Sequence, residues 1–97
     1  MTLVMLYRTT VKPEAIEQLN AIRTEFSEIY AKYGIEVLGH WKNAEIPSES
    51  VYMIRYESES DYQQKTHALH EDENYIRLTS LLNSLRTDFR PEKLVEA

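Results

Sequence analysis

The chain has 97 residues, with 11 lysines and arginines against 16 aspartates and glutamates and a formal charge of −5. That length suits one domain, taken as residues 1–97, and it buries only about two-thirds of the unfolded surface, so a partner surface would add stability. The absence of cysteine excludes disulfides, thiolate catalysis, zinc fingers and iron–sulfur clusters. The acidic balance is the wrong sign for a nucleic-acid or anionic-membrane surface, and the acid-rich stretch from Glu45 to Glu73 reads as a solvated rim.

In chain order, Leu3 to Thr10 begins apolar at every position, as a strand covered on both faces does. The run Leu3 to Tyr7 is too short for a signal or membrane-spanning segment and Arg8 follows it, so a cytoplasmic protein is expected. Pro13 suits a first helical position, and Ile16, Leu19, Ile22, Phe26, Ile29, Tyr30 and Tyr33 recur in steps of three and four. This spacing predicts one long helix over 13–33, stopped by Gly34.

Residues 35–42 predict a second strand, with Ile35, Val37, Gly39 and Trp41 on one face and Glu36, Leu38, His40 and Lys42 on the other. The polar segment 43–50, with Pro47, is a hairpin loop, and Val51 to Tyr56 is a third strand. Ser60 with Gln63 has the pattern of a capping box opening the next helix, which is expected to break near His70 and restart behind Asp72. A last strand, 85–90, alternates Leu85, Thr87 and Phe89 against Arg86, Asp88 and Arg90; Pro91 is expected to end it and leave a loose arm.

The order strand, helix, strand, strand, helix, strand is the split-βαβ arrangement, an α+β ferredoxin-like βαββαβ fold with an antiparallel four-stranded sheet and helices on one face. Strands one and three are apolar on both faces, so the second face needs a cover. A second copy of the sheet is the simplest one, giving a homodimer.

Chemistry is written less plainly. His67 and His70 share a helix face, but nothing brings His40 to them as a third ligand, so no metal is expected. With two glycines there is no phosphate loop and no nucleophile elbow, and no cofactor is expected. Seven tyrosines are the suggestive feature. Tyr52 and Tyr56 share one face of the third strand, and pairing Lys42 with Ser50 sets His40 opposite Tyr52. If that face meets the helices, the hydroxyls need partners or a small wet cavity. His40, Tyr52 and Tyr56 are therefore the candidate ligand-binding residues; the bland alternative makes the tyrosines boundary core residues with solvated tips. Arg55, alone among apolar neighbours, calls for a carboxylate partner or a place at a strand end.

With the elements placed, Val11-Lys12-Pro13, Gly34-Ile35, Gly39-His40-Trp41, Tyr56-Glu57-Ser58 and Asp72 to Tyr75 together resemble the NIPSNAP family over nearly the whole chain. Glu14, Glu73 and Tyr52-Met53-Ile54 depart from that family's usual Gly, Pro and His-Leu-Trp. The resemblance implies a dimeric α/β barrel, two ferredoxin-like sheets packed face to face with helices outside, and no settled enzymatic activity. The same fold is similar to cofactor-independent antibiotic-biosynthesis monooxygenases and haem-degrading relatives, which use a pocket between sheet and helices. Two functions follow as expectations: a homodimeric binding or interaction module with a small-ligand pocket, or a cofactor-independent monooxygenase or isomerase acting on a small substrate, aromatic among the options.

Overall fold

The structure, a computed structural model, describes residues 2–97. Its elements are β1 (Leu3–Val11), a short 3-10 turn (Pro13–Ala15), α1 (Ile16–Lys32), β2 (Glu36–Lys42), β3 (Glu49–Tyr56), α2 (Glu59–Glu71), α3 (Glu73–Leu85) and β4 (Arg86–Val95). The strands form one antiparallel sheet in the order β2-β3-β1-β4. This is the ferredoxin-like α+β fold expected from the element order, with its second crossover helix divided in two.

Local chemistry explains the divisions. At the end of α1, Gly34 takes φ +68°, a conformation that favours glycine, and the N–H groups of Gly34 and Ile35 donate to the Ala31 and Tyr30 carbonyls at 3.1 and 2.9 Å. The capping box of α2 lies two residues before the expected Ser60 and Gln63. Ser58 Oγ accepts from the Asp61 N–H at 3.1 Å, and Asp61 Oδ2 accepts from the Glu57 N–H at 2.9 Å.

Asp72 breaks the helix as expected and does more. Its Oδ1 accepts from the Tyr75 N–H at 3.0 Å, while Oδ2 accepts from the Tyr33 hydroxyl at 2.6 Å and the Lys32 ammonium at 3.2 Å. One buried carboxylate thus caps α3 and fastens the end of α1 to the α2–α3 joint. The Tyr33 hydroxyl, then the Tyr75 N–H, and the Lys32 ammonium as well hold its pKa at about 2.

Leu3 and Met5 of β1 and Ile54 and Tyr56 of β3 meet Ile22, Phe26 and Ile29 of α1, Leu69 of α2 and Leu78 of α3 in the main core. Burying an aliphatic side chain such as Ile54 or Leu78 stabilises the fold by roughly 1.5–3 kcal/mol. The odd residues of β1 and the even residues of β3 therefore face the helices. Val4, Leu6, Val51 and Met53 face away, half-buried by their neighbours alone.

Two bulges alter the alternation read from the sequence. Val37 pairs with Ile54, but the next pair is Gly39 with Met53, so Leu38 is an extra residue. Beyond it, His40 joins the helix side opposite Tyr52, and Trp41 turns away from it opposite Val51; the expected grouping of Val37 with Trp41 is corrected. Likewise Thr10 pairs with Asp88 and Val11 with Arg86, leaving Thr87 extra. Arg86 thereby shares the helix side with Phe89 and parts from Asp88 and Arg90. β4 also runs on to Val95 through Pro91, in place of the expected loose arm. An edge strand tolerates a residue that lacks a donor.

Arg55 finds its carboxylates within the chain, Glu36 and Glu57, each at 3.2 Å. Among the described residues, no helix is long and apolar enough to cross a membrane, a statement about helices only.

Candidate functional site

Between the sheet and the three helices lies a cavity of about 440 Å³. Its floor is the helix side of the sheet. The paired residues Tyr7 and Tyr52 lie at its centre, and the next row runs Ser50, Thr9, Phe89 across β3, β1 and β4. The amphipathic stripe of α1 supplies Leu19, Arg23, Phe26 and Tyr30; α2 supplies Tyr62, Thr66 and His70; α3 supplies Tyr75, Thr79 and Leu82. His70, Phe89 and Pro91 are exposed and form the rim.

Five of the seven tyrosines line this space: Tyr7, Tyr30, Tyr52, Tyr62 and Tyr75. The rings of Tyr30, Tyr52 and Tyr75 belong to a continuous aromatic run. His40 stacks on Tyr52 at 5.9 Å, Tyr52 meets Tyr30 at 5.9 Å, Tyr30 meets Phe26 at 6.1 Å, Phe26 meets Tyr75 at 5.8 Å, and Tyr75 meets His70 at 5.9 Å. Burial raises the Tyr7, Tyr30, Tyr52 and Tyr75 pKa values above that of a free phenol, keeping these hydroxyls protonated donors. The Tyr52 hydroxyl is buried with the Ser27 side chain of α1 close to it, but no hydrogen bond of good geometry reaches it among the described residues. A polar atom in that position normally has one, and its lack costs about 1–3 kcal/mol.

The three residues singled out from sequence are adjacent but have different surroundings. Tyr52 lines the cavity. His40 is exposed behind it, ring against ring, and burial, with the charge of Arg23 in second place, lowers its pKa. Tyr56 is 1% exposed, in the core below, edge-on to Tyr62 at 5.1 Å. Reasoning from sequence missed Tyr7, Tyr30, Tyr62, Tyr75, Arg23 and Arg86. Tyr30 was legible as part of the α1 stripe but read as packing. Arg86 was hidden by the bulge at Thr87.

Both arginines carry charge into the wall. Arg23 donates to Ser50 Oγ at 2.8 Å and to Asn20 Oδ1 at 3.2 Å. Arg86 donates to Asn83 Oδ1 and lies over the Phe89 ring, 4.0 Å from its centre. Burial lowers the pKa of each. No aspartate or glutamate lines the cavity, and among the described residues no cluster of three histidines or carboxylates could hold a metal ion.

No protein-family model matches the chain, and no curated protein does either. Solved structures do. A NIPSNAP family protein from Agrobacterium tumefaciens str. C58 superposes with a TM-score of 0.86 at 19% identity, covering 100% of this chain and 94% of its own. An uncharacterized NIPSNAP domain protein from Burkholderia xenovorans gives 0.85 at 18% identity, covering 98% and 94%. A putative antibiotic biosynthesis monooxygenase from Nitrosomonas europaea gives 0.82 at 13% identity, covering 98% and 89%. These neighbours agree with the resemblance read in the sequence, and what they show at such identities is the shared architecture: the chain has the ferredoxin-like fold of NIPSNAP family proteins.

Proposed function

We propose that this chain is a NIPSNAP-like homodimeric binding protein of the cytoplasm whose cavity holds a small aromatic or apolar molecule carrying an oxygen. The observation that carries the reading is the tyrosine-walled cavity, in which the Tyr52 hydroxyl has no well-formed hydrogen bond. Ligand sites are mostly apolar spaces of about 300–1,000 Å³ with a few polar groups that fix orientation. Tyr52 contacts the ligand. His40 positions the Tyr52 ring by stacking, and Tyr56 supports Tyr62 from below.

Dimer formation uses the other face of the sheet, where Val4, Leu6, Val51 and Met53 make a half-buried apolar centre and Trp41 stands 53% exposed. Charged residues surround that centre, the usual arrangement of an interface. The cysteine-free composition supports the cytoplasmic assignment.

The test is a thermal-shift and fluorescence titration with neutral aromatic probes, 2-naphthol and naphthalene. Both should raise the Tm, and Tyr52→Phe should weaken 2-naphthol about fivefold while leaving naphthalene unchanged. No shift with either probe would reject the cavity as a binding site. Light scattering should give the mass of two chains; a monomer at micromolar concentration would reject the dimer.

A second reading, a cofactor-independent monooxygenase or isomerase, has one observation in its favour: His70 lies on the cavity rim edge-on to Tyr75, where an imidazole would meet a bound ligand. Turnover lost in His70→Ala with binding retained would favour it.

A further inference from the structure

The cavity is the place where an acidic chain turns cationic. Its two arginines approach from opposite sides of one cross-strand row. Arg23 of α1 holds Ser50 on β3, Arg86 stacks on Phe89 of β4, and Thr9 of β1 lies between Ser50 and Phe89. With strands spaced about 4.8 Å apart, Ser50 and Phe89 stand roughly 10 Å from each other. A guanidinium has five N–H donors; Arg23 spends one on Ser50 and one on Asn20, and Arg86 one on Asn83. Neither arginine forms an ion pair among the described residues, although seven other lysine and arginine side chains do. Two partly buried cations with spare donors and no internal counter-charge are a cost to the empty protein that a bound anion would remove.

We infer that the cavity's ligand is an organic carboxylate, its acid group seated over Thr9 between Arg23 and Arg86 and its apolar body lying along Tyr7, Tyr52 and Tyr30. This rests on the reading of the cavity as a ligand site. Planar, forked guanidinium donors match a carboxylate, and the aromatic wall suits a flat body.

Isothermal titration calorimetry with 2-naphthoate, its neutral amide and 2-naphthyl phosphate tests the assignment. The acid should bind the unaltered protein at least about tenfold tighter than the amide, as expected of charge-assisted hydrogen bonds. Added salt should erode that advantage and leave the amide unaffected, a measurement that needs no variant. In the Arg23→Gln, Arg86→Gln double variant the acid should lose its advantage and bind no tighter than the amide does to that same variant. Equal binding of acid and amide to the unaltered protein would overturn the carboxylate assignment and leave the cavity reading standing. So would a preference that survives the double variant. A phosphate ester bound tighter than the acid would replace carboxylate by phosphate. Binding of none of the three would remove the cavity reading and this inference together.

Discussion

The two faces of this sheet hold their arginines under opposite conditions. On the face turned from the helices, Arg55 lies 3.2 Å from both Glu36 and Glu57, Arg90 is 3.0 Å from Asp88, and Arg8 sits 3.9 Å from Glu49 and Glu92. On the helix face, Arg23 and Arg86 have only neutral oxygens and an aromatic ring for company. The first face satisfies its own charges around an aliphatic centre, so what it leaves without a partner is apolar area, the area the proposed dimer would cover. The second face leaves charge, and one phenol, unsatisfied inside a cavity. Unmet polar groups on one side and unmet apolar area on the other point to two different partners, a small molecule and a protein.

The largest effect should come from charging the apolar centre of the outer face. Leu6→Glu would place an unpaired carboxylate in the proposed dimer interface, at a cost of about 3–5 kcal/mol, and sedimentation should find monomers whose helix-side core is intact. Dimers that persist in Leu6→Glu would move the interface elsewhere. On the helix face, Tyr56→Ala should cost a similar 3–5 kcal/mol in denaturant unfolding, because it empties a fully buried site, and it should do so with or without ligand.

Tyr52→Phe should act in the opposite sense. It deletes a buried hydroxyl that has no well-formed hydrogen bond, so the free protein should gain about 1 kcal/mol and a higher Tm. A loss of stability would mean that the hydroxyl is already satisfied in solution.

The smallest change is expected for Asp72→Asn, which keeps the cap, since asparagine also caps helices well. It loses only what the charge contributes, so its deficit is present at neutral pH and closes in acid. Its signature lies in acid. The Asp72 pKa falls from an ordinary carboxylate value of 3.8 to about 2 on folding, so its charge adds stability above pH 4, and that contribution disappears as pH drops through 2. Melting curves of the variant should be flatter across that window than those of the parent. Identical acid profiles would show that Tyr33 and Lys32 do not hold the carboxylate in solution.

Much of this molecule is local in origin and was legible from residues in order. The α1 stripe, the Gly34 stop, the Asp72 break and the two-faced apolarity of β1 and β3 each depend on neighbours within a turn or a strand, and the fold class followed from their sequence. The Tyr52–His40 pairing was also within reach, because a short hairpin restricts the register. The cavity wall was not. Tyr30 and Tyr75 lie on helices that meet only in the folded chain, and ordinary core packing accounts for a tyrosine on an apolar stripe. Trp41 parts from Val37, and Arg86 from Asp88, because one extra residue between them, Leu38 or Thr87, reverses the two-residue alternation. Whether a strand takes in such a residue is decided by its hydrogen-bonded partner far away in the chain, so tertiary structure alone determined which charges enter the cavity.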